Sequence, residues 1–180
     1  MPTRRLFVAI PLNPELLRVF AKYRETMPAI AGLRWVPSEK LHITVAFLGD
    51  MELNRMDEIR NAIIGVASTS SNLTLKLNRL APSPHRSPMV WAEFSGVEEY
   101  RRLIFPMRQA LKSFAEMDQR EPHIHVTLAR PGRERIRRNE IPVKEFDGPD
   151  LMVDSVELWE SESGGGAVVY RVLGKFVFGI

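Results

Sequence analysis

Two short segments of the sequence place a histidine and a threonine two positions apart within apolar runs. The first is "HITVA", with His42 and Thr44, and the second is "HVTLA", with His125 and Thr127. Side chains alternate between the two faces of a β-strand, so each His shares a face with its Thr while apolar side chains take the other. A buried imidazole or hydroxyl needs a polar partner. The two segments are therefore candidates for the two halves of one polar site.

The paired histidines suit acid–base catalysis, because the ordinary pKa of imidazole lies nearest to neutrality. In an in-line displacement at phosphorus, one ring removes a proton from water and the other protonates the departing oxygen. The hydroxyl groups of Thr44 and Thr127 can donate hydrogen bonds to the non-bridging oxygens. Arg130, which closes the second segment, can add a forked contact to the same anion. None of these roles requires a metal ion or another cofactor.

A zinc site is the alternative interpretation of the histidines. His42, His123 and His125 can supply the three protein ligands that catalytic zinc often has. A zinc site leaves the threonines without a role, and no carboxylate pattern lies nearby. We therefore predict no metal, with His123 in a structural or exposed position at the start of its strand. His85 lies in a proline-rich loop and is predicted to be on the surface.

The composition is that of an ordinary globular protein. Of the 180 residues, 44% are hydrophobic and 26% are charged, and the formal net charge is +3. The absence of cysteine excludes disulfides and thiolate metal sites. No apolar stretch approaches the roughly 20 residues of a membrane span, and the apolar run near the start is too short for a secretory signal. These features predict a cytoplasmic protein with no membrane association.

Several basic and aromatic residues lie outside the two segments. Five arginines crowd together: Arg130, Arg133, Arg135, Arg137 and Arg138. This run either contacts an RNA backbone or forms a solvated face. Trp91 and Tyr170 are predicted either for the core or for stacking against a base. Trp35 and Phe47 are predicted for the core.

The apolar patterns predict alternating strands and helices. Strands are predicted over 6–10, 41–49, 73–80, 89–94 and 121–130, and near 142–147, 151–160 and 168–178. Helices are predicted from Asn13 and Pro14 to Met27, from Leu53 to Ala67, and from Tyr100 to Phe114 with a kink or restart at Pro106. A turn between the last two strands is predicted at Gly164, Gly165 and Gly166. The order strand, helix, strand, helix, strand runs about twice, which indicates two similar halves in one α+β unit.

The segments around both histidines resemble a known family. The stretch "LRWVPSEKLHITVAFLGD" over 33–50 closely resembles the first signature of the bacterial and archaeal RNA 2′,3′-cyclic phosphodiesterases, and "HVTLAR" resembles the second. These proteins, also called 2′–5′ RNA ligases, belong to the two-histidine phosphoesterase superfamily. The segments "RLFVAIPL", "VWAEF" and "LWESESGGGAVVYRVL" are also similar to family segments. The likeness thus covers nearly the whole chain.

The resemblance implies a fold and a reaction. The implied fold is α+β and bilobal, with two pseudo-symmetric halves that each carry an antiparallel sheet flanked by helices, and with the active cleft between them. Residues 1–180 then form a single domain with internally duplicated halves. The implied reaction is the metal-independent hydrolysis of terminal RNA 2′,3′-cyclic phosphate to a 2′-phosphomonoester, so the expected partner is RNA with such ends.

The resemblance also implies roles for individual residues. The family's catalytic pair corresponds to His42 and His125, and its hydroxyl pair corresponds to Thr44 and Thr127. Family assignments usually make the first His the proton donor and the second the proton acceptor, but the symmetry of the two segments leaves this order open. Relatives commonly have Pro before the second His, where this chain has Ile124. An extended residue fits that position equally well.

Other functions are compatible with the same motifs. One is the joining of RNA ends through a 2′–5′ bond, in which a 5′-hydroxyl replaces water. Another is action on small cyclic nucleotides or on ADP-ribose cyclic phosphate. A non-catalytic RNA-binding module is a third, but such a module has no need of two matched His-x-Thr triplets. A monomer is expected in every case.

Overall fold

The chain is built on one long antiparallel β-sheet. The computed structural model describes residues 2–27, 30, 32–146, 148–164 and 167–179. The strands are β1 (Thr3–Pro11), β2 (Leu33–Trp35), β3 (His42–Glu52), β4 (Leu73–Pro82), β5 (Val90–Ser95), β6 (His125–Pro131), β7 (Lys144–Glu145), β8 (Asp150–Val153), β9 (Ser155–Gly164) and β10 (Ala167–Val177). The helices in these ranges are α1 (Pro14–Thr26), α2 (Met56–Ala67) and α3 (Val97–Leu111). The α+β class predicted from the sequence is thus observed.

The strand order places β3 and β6 side by side at the centre of the sheet. The order is β10-β9-β1-β3-β6-β5-β4-β7, with β2 paired to β6 and β8 paired to β4. We call β1, β3, β9 and β10 the first half, and β4 to β8 the second half. The halves meet at the pair Ile43↔Val126, so the two predicted sheets are joined into one. That the halves arose by duplication stays a prediction.

The predicted strand over 151–160 is wrong in one respect, because it is two strands. β8 pairs with β4 in the second half, whereas β9 pairs with β1 in the first. The chain crosses between the halves at Asp154, whose carbonyl oxygen accepts a hydrogen bond from the amide of Phe178 at 2.7 Å. Both strands are rich in apolar residues, so the sequence pattern does not reveal a change of partner strand. Gly164 ends β9, and Gly165 and Gly166 of the predicted turn lie outside the described residues.

The helices follow their sequence signals, with one exception at Pro106. The side chain of Asn13 caps α1 by accepting a hydrogen bond from the amide of Leu16 at 2.9 Å. Helix α3 continues through Pro106 without a restart. Pro106 lies on the exposed side of α3, where water can satisfy the carbonyl that loses its partner. No helix within the described ranges combines the length and apolarity needed to cross a membrane.

One face of the sheet packs against the helices, and the other face carries a cleft. Alternate residues of β1 divide between them. Leu6, Val8 and Ile10 join the main core with the apolar stripe of α1, whereas Phe7 and Ala9 face the other way. On that other face Phe7 packs with Trp159 of β9, beside Tyr170 of β10. The β-strand alternation therefore places the helices and the cleft on opposite sides of the sheet.

Candidate active site

A cleft of about 660 Å³ lies over the centre of the sheet. It brings together all five residues that the sequence proposed for the site, which are His42, Thr44, His125, Thr127 and Arg130. The central pair Ile43↔Val126 explains this convergence. Both of its side chains point into the core, so the His and Thr that flank each of them point to the cleft.

The two imidazoles are anchored in the same way. Nδ1 of His42 lies 2.7 Å from the carbonyl oxygen of Lys40, and Nδ1 of His125 lies 2.8 Å from the carbonyl oxygen of His123. A carbonyl oxygen only accepts, so each Nδ1 carries a proton and each neutral ring keeps its lone pair on Nε2. Nε2 of His42 lies 3.1 Å from Oγ1 of Thr44. Nε2 is therefore the nitrogen of each ring that is available to accept or donate a proton.

The pKa of both His42 and His125 is lowered, which favours the neutral form of each ring. Burial lowers the pKa of His42, the hydrogen bond to Lys40 opposes this change, and the charges of Arg130 and His125 add to it. Burial likewise lowers the pKa of His125, against the hydrogen bond to the His123 carbonyl. The free site is therefore largely uncharged at its two rings near pH 7. An anion bound between them favours the protonated form of either ring.

A β-bulge places Phe47 in the cleft, so the prediction that Phe47 lies in the core is wrong. Thr44 pairs with Ala9 and Ala46 pairs with Val8, which leaves Val45 as an extra residue. Val45 and Ala46 are both buried, and the alternation after them is reversed. Phe47 is 67% exposed and lines the cleft on the same side as His42.

A second bulge at the matching place in β6 presents Arg130. Thr127 pairs with Trp91 and Ala129 pairs with Val90, so Leu128 is the extra residue. Leu128 and Ala129 are both buried. Arg130 then lines the cleft at the position that Phe47 takes in the first half. The two half-sites thus present an aromatic ring and a guanidinium at equivalent positions.

The charged side chains that line the cleft are all basic. The described lining residues include Arg5, Arg34, Lys40 and Arg130, and no Asp or Glu is among them. Arg34 of β2 is the direct strand partner of Arg130. Sequence reasoning missed Arg5, Arg34 and Lys40; Lys40 ends the short 3-10 helix Ser38–Lys40 that precedes β3. The cleft is suited to an anionic ligand.

Aromatic rings surround both imidazoles, in different arrangements. Phe7, Trp159 and Tyr170 lie 4.9, 5.1 and 5.6 Å from His42 between ring centroids, and all three are tilted or edge-on. Trp91 lies flat against His125, with the centroids 3.8 Å apart and the planes at 21°. Trp91 is 5% exposed and belongs to the buried wall, whereas Tyr170 lines the open cleft. Trp35, predicted for the core, is only half-buried and also lines the cleft.

The other two histidines, and the four arginines that follow Arg130 in the basic run, are not among the described residues that line the cleft. His123 borders a neighbouring depression, where its Nε2 is 3.3 Å from Oε1 of Glu93. The three imidazoles of the zinc alternative therefore do not share one cavity. His85 is exposed and lies edge-on to Trp91 at 5.3 Å. The side chains of Arg133, Arg135, Arg137 and Arg138 are all exposed. Ile124, which replaces the proline of relatives, is buried at 2% exposure and extends the core.

Comparison with known proteins shows what the chain is similar to. A family model described as LigT like Phosphoesterase matches residues 10–91. A protein of Geobacillus stearothermophilus named RNA 2′,3′-cyclic phosphodiesterase is 29% identical over 136 residues, which are 72% of this chain and 43% of that protein. The match thus spans less than half the length of that relative. A protein of the same name from Methanocaldococcus jannaschii is 23% identical over 176 residues, which are 94% of this chain and 98% of that protein.

A solved structure extends the likeness to the whole fold. The crystal structure of E. coli LigT in apo form matches with a TM-score of 0.83 and 23% sequence identity over 99% of both chains. At this level of identity the structural match shows a shared fold. The family model and the named relatives add the sequence likeness around the first His-x-Thr segment. The resemblance predicted from the sequence is thereby confirmed: residues 10–91 match the LigT-like phosphoesterase model, and proteins named RNA 2′,3′-cyclic phosphodiesterase are similar to this chain in sequence.

Proposed function

We propose that the protein opens 2′,3′-cyclic phosphates at RNA ends and releases 2′-phosphomonoesters. The observation that carries this proposal is the pair of anchored imidazoles, His42 and His125, in one cleft whose charged lining is entirely basic. The names of the relatives point to the same substrate. A phosphodiester monoanion is a small anion that this cleft suits by charge.

The reaction is a displacement at phosphorus by water. The water oxygen forms a bond to phosphorus while the bond from phosphorus to O3′ breaks, and the bonding electrons stay on O3′. Nε2 of one ring takes a proton from the water, and Nε2–H of the other ring gives a proton to O3′. Thr44, Thr127 and Arg130 bind the non-bridging oxygens, whose negative charge grows in the transition state. The products are a 2′-phosphate and a free 3′-hydroxyl.

The nucleoside is proposed to bind along the aromatic wall of the first half. Phe47 is exposed and lines the cleft, as does Tyr170. Exposed aromatic faces can stack on a base with little dependence on its identity. Arg130, the counterpart of Phe47 in the other half, is left to bind phosphate oxygens.

Metal independence is part of the proposal, because side chains can fill every chemical role. The two rings move both protons, and the basic residues of the cleft neutralise the phosphate charge. We expect an oligonucleotide with a 2′,3′-cyclic phosphate to be hydrolysed in excess EDTA at the rate seen without it. Loss of activity with EDTA and its recovery with zinc would contradict this proposal.

The experiment that tests the function compares histidine variants in a product assay. His42→Ala and His125→Ala are each expected to lower turnover by at least about 100-fold, since each removes one proton transfer. His85→Ala is the matched control and is expected to cost little. Chromatography that separates 2′-phosphate from 3′-phosphate identifies the bond that breaks. Near-normal rates in either of the first two variants would refute the acid–base pair.

The same assay separates the alternative functions. RNA with a 5′-hydroxyl, added beside the cyclic end, reports 2′–5′ joining as a longer product. A nucleoside 2′,3′-cyclic phosphate tests action on small cyclic nucleotides. RNA binding without turnover of any of these substrates would indicate a non-catalytic module. The monomeric state and the cytoplasmic location stay predictions.

A further inference from the structure

The two halves of the sheet are joined by few strand contacts. Within the described residues, β3 pairs with β6 at a single position, Ile43↔Val126. His42 directly precedes Ile43, and His125 directly precedes Val126. A reaction that uses both rings on one phosphate therefore depends on how β3 is held against β6. A single strand pair is a small basis for that arrangement, so any further contact between the halves at this point matters for the site.

A hydrogen bond from Tyr100 is such a contact. In β3 the bulge makes Val45 the extra residue, directly after Thr44. A bulge disrupts the ladder locally, and a backbone carbonyl that the ladder does not use needs another donor. The hydroxyl of Tyr100 lies 3.1 Å from the carbonyl oxygen of Thr44 and donates to it. Helix α3 thus reaches the backbone of β3 at the start of its bulge.

Tyr100 is well placed to hold this bond. Its side chain is buried in the main core, and burial raises the pKa of its hydroxyl, so the hydroxyl keeps the proton that it donates. Its amide donates a hydrogen bond to the carbonyl oxygen of Gly96 at 3.0 Å, which fixes it at the start of α3. Helix α3 connects β5 to β6, and both strands belong to the second half. The bond from Tyr100 to Thr44 therefore crosses from the second half to the first.

The matching bulge in β6 is held in a different way. Its extra residue is Leu128, and the carbonyl oxygen of Leu128 accepts a hydrogen bond from the amide of Val36 at 2.8 Å. That bond joins two backbones, whereas the bond to Thr44 comes from a side chain. Replacement of a single side chain, that of Tyr100, can therefore release the bulge of the first half while the bulge of the second half keeps its bond.

Thr44 connects this bond to the chemistry. Its carbonyl oxygen binds Tyr100, and its hydroxyl oxygen lies 3.1 Å from Nε2 of His42. Thr44 and His42 flank Ile43, the residue at which the halves meet. A displacement of about 1 Å at a reacting group can cost on the order of 100-fold in rate. Loss of the Tyr100 bond is therefore expected to disturb the placement of the first half-site, while the basic residues of the cleft are left unchanged.

We propose that Tyr100 is a positioning residue, which holds the His42–Thr44 segment in place against His125 through its hydrogen bond to the Thr44 carbonyl oxygen. The role rests on the proposed function, because it concerns a reaction that needs both rings at one phosphate. Tyr100 is in the core, so it acts through the backbone of Thr44 and has no contact with the substrate. It serves whichever ring donates the proton and whichever accepts it.

Two tyrosine variants test this role in the hydrolysis of a 2′,3′-cyclic phosphate. Tyr100→Phe is expected to lower kcat by at least about 10-fold and to change KM by less than about 2-fold, because Arg34 and Arg130 still line the cleft. Tyr23→Phe is the matched control, since the Tyr23 hydroxyl is also buried but has no hydrogen-bond partner within the described part of the chain. Its kcat is expected to stay within about 2-fold of the wild-type value. A kcat of Tyr100→Phe within that same range, or equal losses in both variants, would overturn the role.

Urea denaturation and imidazole NMR give readouts that do not depend on turnover. The urea midpoint of Tyr100→Phe is expected to fall, because the Thr44 carbonyl loses its donor, and a midpoint that leaves the variant folded in the assay excludes unfolding as the cause of a lower kcat. In the folded Tyr100→Phe protein the ring resonances of His42 are expected to shift, whereas Tyr23→Phe leaves them in place. If the wild-type protein cleaves no cyclic phosphate, the function is wrong, and the His42 resonances still test the role of Tyr100. If it cleaves the substrate and those resonances do not shift, the function stands and the role of Tyr100 fails.

Discussion

His42 and His125 are held at Nδ1 by backbone carbonyls, so the protonation of Nε2 decides whether the site can act. The proposed acid–base catalysis needs one neutral ring and one protonated ring. Burial is the largest cause that lowers the pKa of each ring from its ordinary value of 6.5. In the free protein, the state with one neutral and one protonated ring is therefore most populated below pH 6.5. A bound phosphate anion raises the pKa of both rings again.

The pH profiles of kcat/KM and kcat are expected to differ, because the first reports the free protein and the second reports the substrate complex. The pH profile of kcat/KM is expected to be bell-shaped with its maximum below pH 6.5, the ordinary value for His. Above that pH the rate falls because the donor has lost its proton, and at lower pH it falls because the acceptor has gained one. The maximum of kcat is expected at a higher pH, since the substrate anion stabilises the imidazolium. Steady-state kinetics between pH 4 and pH 9 test both maxima, provided that chemistry limits the rate. A flat profile would contradict two titrating rings.

The residues that meet in the cleft could be predicted from the sequence, but part of their surroundings could not. His-x-Thr at two positions, with apolar neighbours, was enough to bring together His42 and His125. Phe47 was misplaced because a strict two-residue alternation has no room for the extra residue Val45. Trp91 was not placed against His125 because strand partners follow from register, which a single strand does not encode.

The strands and helices were largely predictable because each carries its own local signal. Asn13 and Pro14 mark the start of α1, and the alternation of "LTLKLNRL" marks β4. The local sequence pattern of a strand does not show which other strand it pairs with. The chain leaves β8 in the second half and enters β9 in the first at Asp154, and only the folded sheet reveals this crossing. Helix α3 also continues through Pro106, because exposure lets water compensate for the missing hydrogen bond.

The start of α3 supplies a stability prediction with a matched control. Gly96 has φ +103°, and an added Cβ would lie 2.8 Å from the carbonyl oxygen of Thr74. Gly96→Ala is therefore expected to lower the free energy of unfolding by about 1–3 kcal/mol. Gly65 is exposed within α2 and has open space around it. Gly65→Ala is expected to raise the free energy of unfolding by about 0.5–1 kcal/mol.

Urea denaturation of both variants measures these opposite effects. The same sign for both would contradict the backbone explanation. Gly96→Ala also bears on the site, because Tyr100 in the first turns of α3 donates a hydrogen bond from its hydroxyl to the carbonyl oxygen of Thr44 at 3.1 Å. A displaced α3 is therefore expected to reduce turnover as well as stability, whereas Gly65→Ala is expected to leave turnover unchanged.

The whole molecule carries only a small net charge of +3, yet its cleft is strongly basic. Net charge therefore says little about where an anion binds. Arg34 and Arg130 are neighbours across the β2–β6 pair, and the arginines that follow β6 are exposed. Sequence composition showed that the arginines were crowded. Only the sheet topology shows that the run begins at the active cleft.

The salt dependence of KM is expected to distinguish arginines that bind the RNA from arginines that do not. For an oligonucleotide substrate, log KM should rise with log salt, by about 0.7 for each phosphate contact to single-stranded RNA. Arg34→Gln is expected to reduce this slope by about 0.7, because its guanidinium lines the cleft. Arg102→Gln, an exposed position on α3 outside the described cleft lining, is the control and is expected to leave the slope unchanged. Equal slopes in both variants would contradict a role for Arg34 in binding.

The same salt-dependence measurement also tests the exposed arginine run that follows β6. If Arg133 and Arg135 contact the RNA backbone, their joint replacement by Gln lowers the slope by about 1.4 for an oligonucleotide. It then leaves a nucleoside cyclic phosphate unaffected, because that substrate is too short to reach them. If the two arginines form a solvated face, neither substrate responds. The two interpretations that the sequence left open are thus distinguished.

The matched anchoring of both imidazoles bears on the direction of the reaction. Each ring is fixed through the nitrogen that does not react, so its charge can change while its orientation is kept. In the proposed mechanism one turnover moves a proton from one ring to the other, and proton exchange with solvent resets the pair without reorienting either ring. Traversed backwards, the same geometry deprotonates an attacking alcohol at one ring and protonates the leaving oxygen at the other. If the proposed mechanism holds, the same cleft can therefore promote both the opening of the cyclic phosphate and its reversal, with the concentrations of water and attacking hydroxyl groups setting the balance.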